Sequence, residues 1–80
     1  MNIDSYLDED GFRVGIGTVM QFTEFCSTPD NEDKYYVVLE LPNCGNTVIL
    51  AECLIGDEGE VTDTLRESHI EVEPWKIGAI

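Results

Sequence analysis

Basic residues are what this 80-residue chain has least of: four Lys and Arg stand against seventeen Asp and Glu, for a formal net charge of −13. That imbalance repels DNA, RNA and anionic membranes, so neither direct nucleic-acid binding nor a membrane partner is expected. No apolar run approaches the length needed to span a bilayer, and the opening Met1-Asn2-Ile3-Asp4-Ser5 carries neither a basic nor an apolar leader region. A cytoplasmic protein is the expectation. The cysteines are three, Cys26, Cys44 and Cys53, an odd number that fits reduced thiols better than a disulfide framework.

Motifs for cofactors and catalysis are missing as well. Gly15-Ile16-Gly17 has Met20 where a dinucleotide loop needs its third glycine, and it lies within a strand pattern rather than before a helix. If Gly11 is the sixth residue of a calcium loop, the first and twelfth ligands are Tyr6 and Gly17, and neither can serve. Cys26, Cys44, Cys53 and His69 offer atoms suited to zinc, but no two cysteines have the spacing of a chelating knuckle. Neither metal nor cofactor is expected. A chain this short buries only about 60% of its unfolded surface, which leaves little room for a shaped pocket, so an enzyme is not expected either.

At 42% hydrophobic, the chain is nevertheless apolar enough to fold as one domain over residues 1–80 rather than remain an acidic tail. Its longest apolar stretch is Tyr35 to Ile55. In Tyr35 to Leu41, Tyr35, Val37, Leu39 and Leu41 fall on one face and Tyr36, Val38 and Glu40 on the other; in Thr47 to Ile55, Ile49, Ala51, Cys53 and Ile55 oppose Val48, Leu50, Glu52 and Leu54. Pro42-Asn43-Cys44-Gly45-Asn46 lies between them and is rich in residues that tolerate turn dihedrals. These arms form an antiparallel hairpin, and strands apolar on both sides belong at the centre of a sheet.

Ahead of the hairpin, residues 1–10 read as a helical turn with Ile3, Tyr6 and Leu7 on one face, or as a loose arm. Asp8-Glu9-Asp10-Gly11 reads as an exposed acidic turn. Phe12 to about Phe25 alternates as one long strand, in which Gly15 and Gly17 predict a bend or bulge. Ser27 to Lys34 is a solvated loop, and Gly56-Asp57-Glu58-Gly59-Glu60 a second acidic turn. Val61 to Ser68 fits either a helical turn opened by Thr64-Leu65-Arg66-Glu67 or a short strand. Ile70-Glu71-Val72-Glu73 alternates as the last strand, which Pro74 confines to an edge or ends, and Trp75 and Ile77 are expected to close the core.

Gly15-Ile16-Gly17-Thr18-Val19, Tyr35-Tyr36-Val37-Val38 and Thr47-Val48-Ile49-Leu50-Ala51-Glu52 together resemble the strand pattern of SH3-like small barrels, such as KOW-type and Tudor-type modules, over about half the chain. The resemblance implies a mainly β fold: a small, antiparallel, partly open barrel of four or five strands with at most one or two short helical turns. Many such barrels bind RNA, DNA or short peptides. Here acidic residues replace the basic ones that contact phosphate, so nucleic-acid binding is not carried over.

The carboxylates are the remaining candidates for function. They cluster as Asp8, Glu9 and Asp10; Asp30, Glu32 and Asp33; Asp57, Glu58 and Glu60; and Glu71 with Glu73. Alternate strand residues stand about 6.6 Å apart, so Glu71 and Glu73 predict a short row of fixed negative charge that loop carboxylates can extend. An ordinary soluble surface mixes both signs, and this one barely does. In size and acidity the chain resembles phage-type DNA-mimic inhibitors. That resemblance implies a partner-binding acidic surface that blocks the nucleic-acid site of a basic restriction, CRISPR, repair or polymerase protein. The alternative is an adaptor that presents an edge strand or the Tyr35/Tyr36 region to a protein partner. From the cysteine count, thiol titration of the denatured, unreduced protein should find all three thiols; one alone would mean a disulfide.

Overall fold

A pair of strands with apolar side chains above and below must be flanked by other strands and covered on two sides. The computed structural model, which describes residues 5–8, 10–41 and 47–80, has this arrangement. Its strands are β1 (Ser5–Leu7), β2 (Arg13–Gly15), β3 (Val19–Phe22), β4 (Tyr35–Glu40), β5 (Val48–Ile55), β6 (Val61–Val72) and β7 (Ile77–Ala79), with a 3-10 turn at Pro74–Lys76. β1 and β2 form a two-stranded ribbon; the other five form one antiparallel sheet in the order β6-β5-β4-β3-β7. The sheet stays open, since β6 and β7 occupy opposite ends of that order. Among the described residues no helix is long and apolar enough to cross a membrane.

The central hairpin is as expected. β4 and β5 pair from Tyr35 opposite Cys53 to Val38 opposite Leu50, then slip so that Glu40 faces Ile49. Its turn, residues 42–46, lies outside the described residues. Val38, Val48, Leu50 and Tyr36 join Val14, Met20 and Ile77 in the larger core, against which Tyr6, Phe22, Ile70 and Val72 pack. The Phe22 and Tyr36 rings meet edge to face, with centroids 5.4 Å apart. Val37, Ala51 and Cys53 are buried on the opposite face beside Val19, Tyr35, Leu39 and Ile55.

Four expectations need correction. Of the opening segment, expected as a helical turn or a loose arm, residues 1–4 lie outside the described residues and Ser5–Leu7 is instead β1, because pairing Tyr6 with Val14 of β2 places the ring against the core and leaves Leu7 outside. The long strand from Phe12 breaks into β2 and β3 at a turn where Gly17 has φ +93°. There Thr18 N–H donates to Gly15 O (3.1 Å), and Thr18 Oγ1 accepts from Gly15 N–H (2.9 Å). Of the two readings of Val61 to Ser68 the strand is the one observed, but it is not short: it runs on through Ile70 to Val72 as one twelve-residue strand, β6, with a bulge in which residues 66–69 lie opposite Ala51. Thr64 pairs with Cys53 instead of capping a helix. Trp75 is 46% exposed, so Ile77 closes the core without it.

Asp8 links the ribbon to the end of the chain. The residue is buried; its Oδ1 accepts from the N–H groups of Asp10 (3.0 Å) and Phe12 (2.8 Å), and its Oδ2 accepts from Ala79 N–H (3.0 Å). Gly11, at φ +86°, completes the turn by donating to Asp8 O (3.0 Å). Removing an acceptor that serves three backbone donors strands each of them, and we expect Asp8→Ala to lose about 2–4 kcal/mol of stability in denaturant unfolding. Asp8→Asn keeps one acceptor oxygen and should lose roughly half as much.

Candidate acidic interface

The two central acidic loops are built as tight, internally bonded turns. In the β3–β4 connection, Thr28 O accepts from the N–H groups of Asn31 (3.0 Å) and Glu32 (2.8 Å), while Asn31 Oδ1 accepts from Thr28 N–H (2.7 Å). This reciprocal arrangement holds Asp30, Glu32 and Asp33 outward, and all three are exposed. In the β5–β6 turn, Gly59 at φ +84° donates to Gly56 O (3.0 Å), Gly56 donates to Glu60 O (2.8 Å), and Glu60 Oε2 accepts from Glu58 N–H (3.1 Å). Asp57, Glu58 and Glu60 are exposed there.

Strand pairing brings these loops together. Tyr35 opens β4 opposite Cys53 near the end of β5, so the segment before Tyr35 and the segment after Ile55 leave the same end of the sheet on neighbouring strands. Neighbouring strands lie about 4.8 Å apart. At the start of β4, Lys34 Nζ sits 3.4 Å from Glu52 Oε1 of β5, the one ion pair among the described residues. It leaves the loop carboxylates uncompensated. Asp10, also exposed, lies beside Glu24 and Phe25 at the end of β3.

The carboxylates of residues 30–33 and 57–60 do not extend the expected row of Glu71 and Glu73, because they leave the other end of β5. Glu71 faces Ile49, four residues along β5 from Cys53 and so about 13 Å away. Its nearer acidic companion is Glu40, which faces Ile49 from the other side, roughly 10 Å from Glu71 across the two strand spacings. Glu73 lies one residue past β6 in extended backbone, and its carboxylate accepts the Trp75 indole N–H. Asp8 is turned inward, with its oxygens engaged by backbone. Glu9 lies outside the described residues. Glu24, Glu40 and Phe25 are surface groups that sequence reasoning missed; the polar Thr23-Glu24 pair, which breaks the alternation before Phe25, was the available signal.

The aromatic patch proposed for an adaptor is not at Tyr36, which is only 6% exposed. Burial raises the Tyr36 phenol above its ordinary value, with Lys34 opposing the rise and Glu52 adding to it. Burial likewise raises the Cys53 thiol, with Glu52 adding to the effect. Tyr6 is raised by burial and by Asp8. Among the described residues no group of three or more His, Cys, Asp or Glu side chains could hold a metal ion.

The molecule measures 36 × 25 × 24 Å. A DNA duplex as long as its 36 Å axis carries about 21 phosphates, against this chain's formal charge of −13. The two charge densities are of the same order. No protein family, curated protein or solved structure matches the chain.

Exposed carboxylates with so few cations repel one another, and salt shortens that repulsion from about 30 Å at 0.01 M to about 8 Å at physiological strength. The thermal midpoint should therefore rise by several degrees between those concentrations of sodium chloride, since about 1 kcal/mol moves a domain of this size by roughly 4–8 °C. An unchanged midpoint would show that the carboxylates do not oppose folding.

Proposed function

We propose that the protein is an acidic mimic of nucleic acid that inhibits a basic nucleic-acid-binding protein by occupying its phosphate-contacting surface. One observation carries this reading: two tight-turn loops, holding Asp30, Glu32 and Asp33 and then Asp57, Glu58 and Glu60, leave one end of the sheet, and among the described residues the one ion pair, Lys34 with Glu52, engages none of these six carboxylates. Charge fixed by hydrogen-bonded turns loses little freedom on binding, so it can stand in for a phosphate backbone. The open sheet with its short return strand is consistent with a resemblance to SH3-like small barrels used as a scaffold. Binding rather than catalysis is the role, in a cytoplasmic setting where the thiols stay reduced.

An adaptor remains the second reading, because Phe12 and Phe25 are exposed aromatics that the core does not use. The two differ in what must be changed to abolish binding. A basic nucleic-acid enzyme recovered on the immobilised protein should be displaced by duplex DNA or RNA, and its capture should weaken as salt rises. Asp30→Lys with Asp33→Lys should abolish that competition while leaving the melting midpoint near that of the parent; Glu71→Lys with Glu73→Lys, at the other acidic site, should weaken it less. If every acidic pair can be reversed without loss, the adaptor reading replaces this one.

A further inference from the structure

Phe25 is 98% exposed, a position in which a phenyl ring contributes nothing to the core. The backbone that carries it is nonetheless held in place. Thr23 O accepts from the N–H groups of Cys26 (2.9 Å) and Ser27 (2.8 Å), closing the turn that presents the ring. Thr23 is itself tied to Lys76 O through its N–H (3.0 Å) and its hydroxyl (3.3 Å). A depression of about 270 Å³ opens beside the ring, with Asp10 and Glu24 exposed at its margin and Asp8, Ile77 and Gly78 forming its more buried side. Asp8 is committed to three backbone donors, so the carboxylates open to a ligand are Asp10 and Glu24. Neither is in an ion pair among the described residues.

We infer that Phe25 and the depression beside it receive an arginine side chain of the basic partner, the guanidinium stacking on the ring while its N–H groups meet Asp10 and Glu24. This rests on the mimic reading above and names a contact within it. The other exposed aromatics fit less well: Lys76 Nζ already lies 5.3 Å from the Trp75 ring centroid and Glu73 holds its indole N–H, while Phe12 does not line the depression. Arginine fits better than lysine because a flat, weakly hydrated guanidinium can stack on an aromatic face and donate from its edge at once. The charge of the whole chain favours the same ligand, since four cations against seventeen acids leave the surface complementary to a basic segment.

The probes are two fluorescein-labelled twelve-residue peptides, one alternating Arg with Gly and the other Lys with Gly, titrated against the full chain by fluorescence anisotropy. The parent should bind the arginine peptide severalfold more tightly than the lysine peptide, and the Phe25 ring protons should shift in the NMR spectrum on binding. Phe25→Ala should weaken the arginine peptide about tenfold, towards the lysine value, with the melting midpoint unchanged because the ring packs on nothing. Phe25→Trp should restore or strengthen binding. The inference is overturned if the parent does not bind the arginine peptide, or if Phe25→Ala leaves its affinity and the arginine-to-lysine ratio unaltered. Failure here can be told apart from failure of the mimic reading. If the Asp30/Asp33 reversal abolishes competition with nucleic acid while Phe25→Ala changes nothing, only the Phe25 contact falls. If competition is absent but a Phe25-dependent arginine preference persists, only the mimicry falls.

Discussion

The ladder between β4 and β5 carries apolar side chains on both faces, Val38 and Leu50 on one and Val37 and Ala51 on the other, and neither face can be left to water. Much of the remaining architecture follows from covering it. β3 and β6 take the two free edges of the hairpin, the β1–β2 ribbon contributes Val14 and Tyr6 to the larger cluster, and β7 returns to β3 to deliver Ile77. Each fully buried aliphatic side chain contributes about 1.5–3 kcal/mol, and Val14, Val38, Val48, Leu50 and Ile77 are all of that kind. That burial offsets the repulsion of an acidic surface.

The acidic groups and the apolar core occupy different parts of the chain, which is how one small sheet tolerates both. Among the described residues the carboxylates sit in loops, at β6 and beyond its end, where solvent screens them; the central strands carry only Glu40, which is exposed, and Glu52, which has Lys34. Asp8 is the exception that helps hold the layers together. Its carboxylate bonds backbone N–H groups of its own turn and of Ala79, so one member of an acidic triplet became part of the frame while Asp10, two residues on, stayed at the surface.

The hairpin was legible in the sequence because two-sided apolar alternation admits no other burial. Gly17 and the acidic turns were legible through the dihedrals they permit. The inward turn of Asp8 was not, since it depends on a partner 71 residues away. β6 was hidden for a different reason: as an edge strand with Thr62, Asp63 and residues 66–69 exposed, it has no apolar alternation to read over most of its length. β1 failed because Tyr6 and Leu7 are adjacent, and spacing alone does not say whether they share a face. The acidic clusters were visible as composition, but only the pairing of Tyr35 with Cys53 shows that two of them leave the sheet side by side.

The bulge in β6 also governs how this sheet meets other chains. An outermost strand offers a row of unsatisfied amides and carbonyls that can template the addition of a foreign strand, a common first step towards fibrils. In β6 the regular pairing is confined to short runs, at residues 63–65 and 70–72, separated by residues 66–69, and a second register shift falls at Thr62 before Val61. A straight incoming strand therefore finds no continuous ladder to extend, and Asp63 and Glu67 add charge along the same stretch. The irregularity that shapes the strand thus guards it against runaway polymerisation.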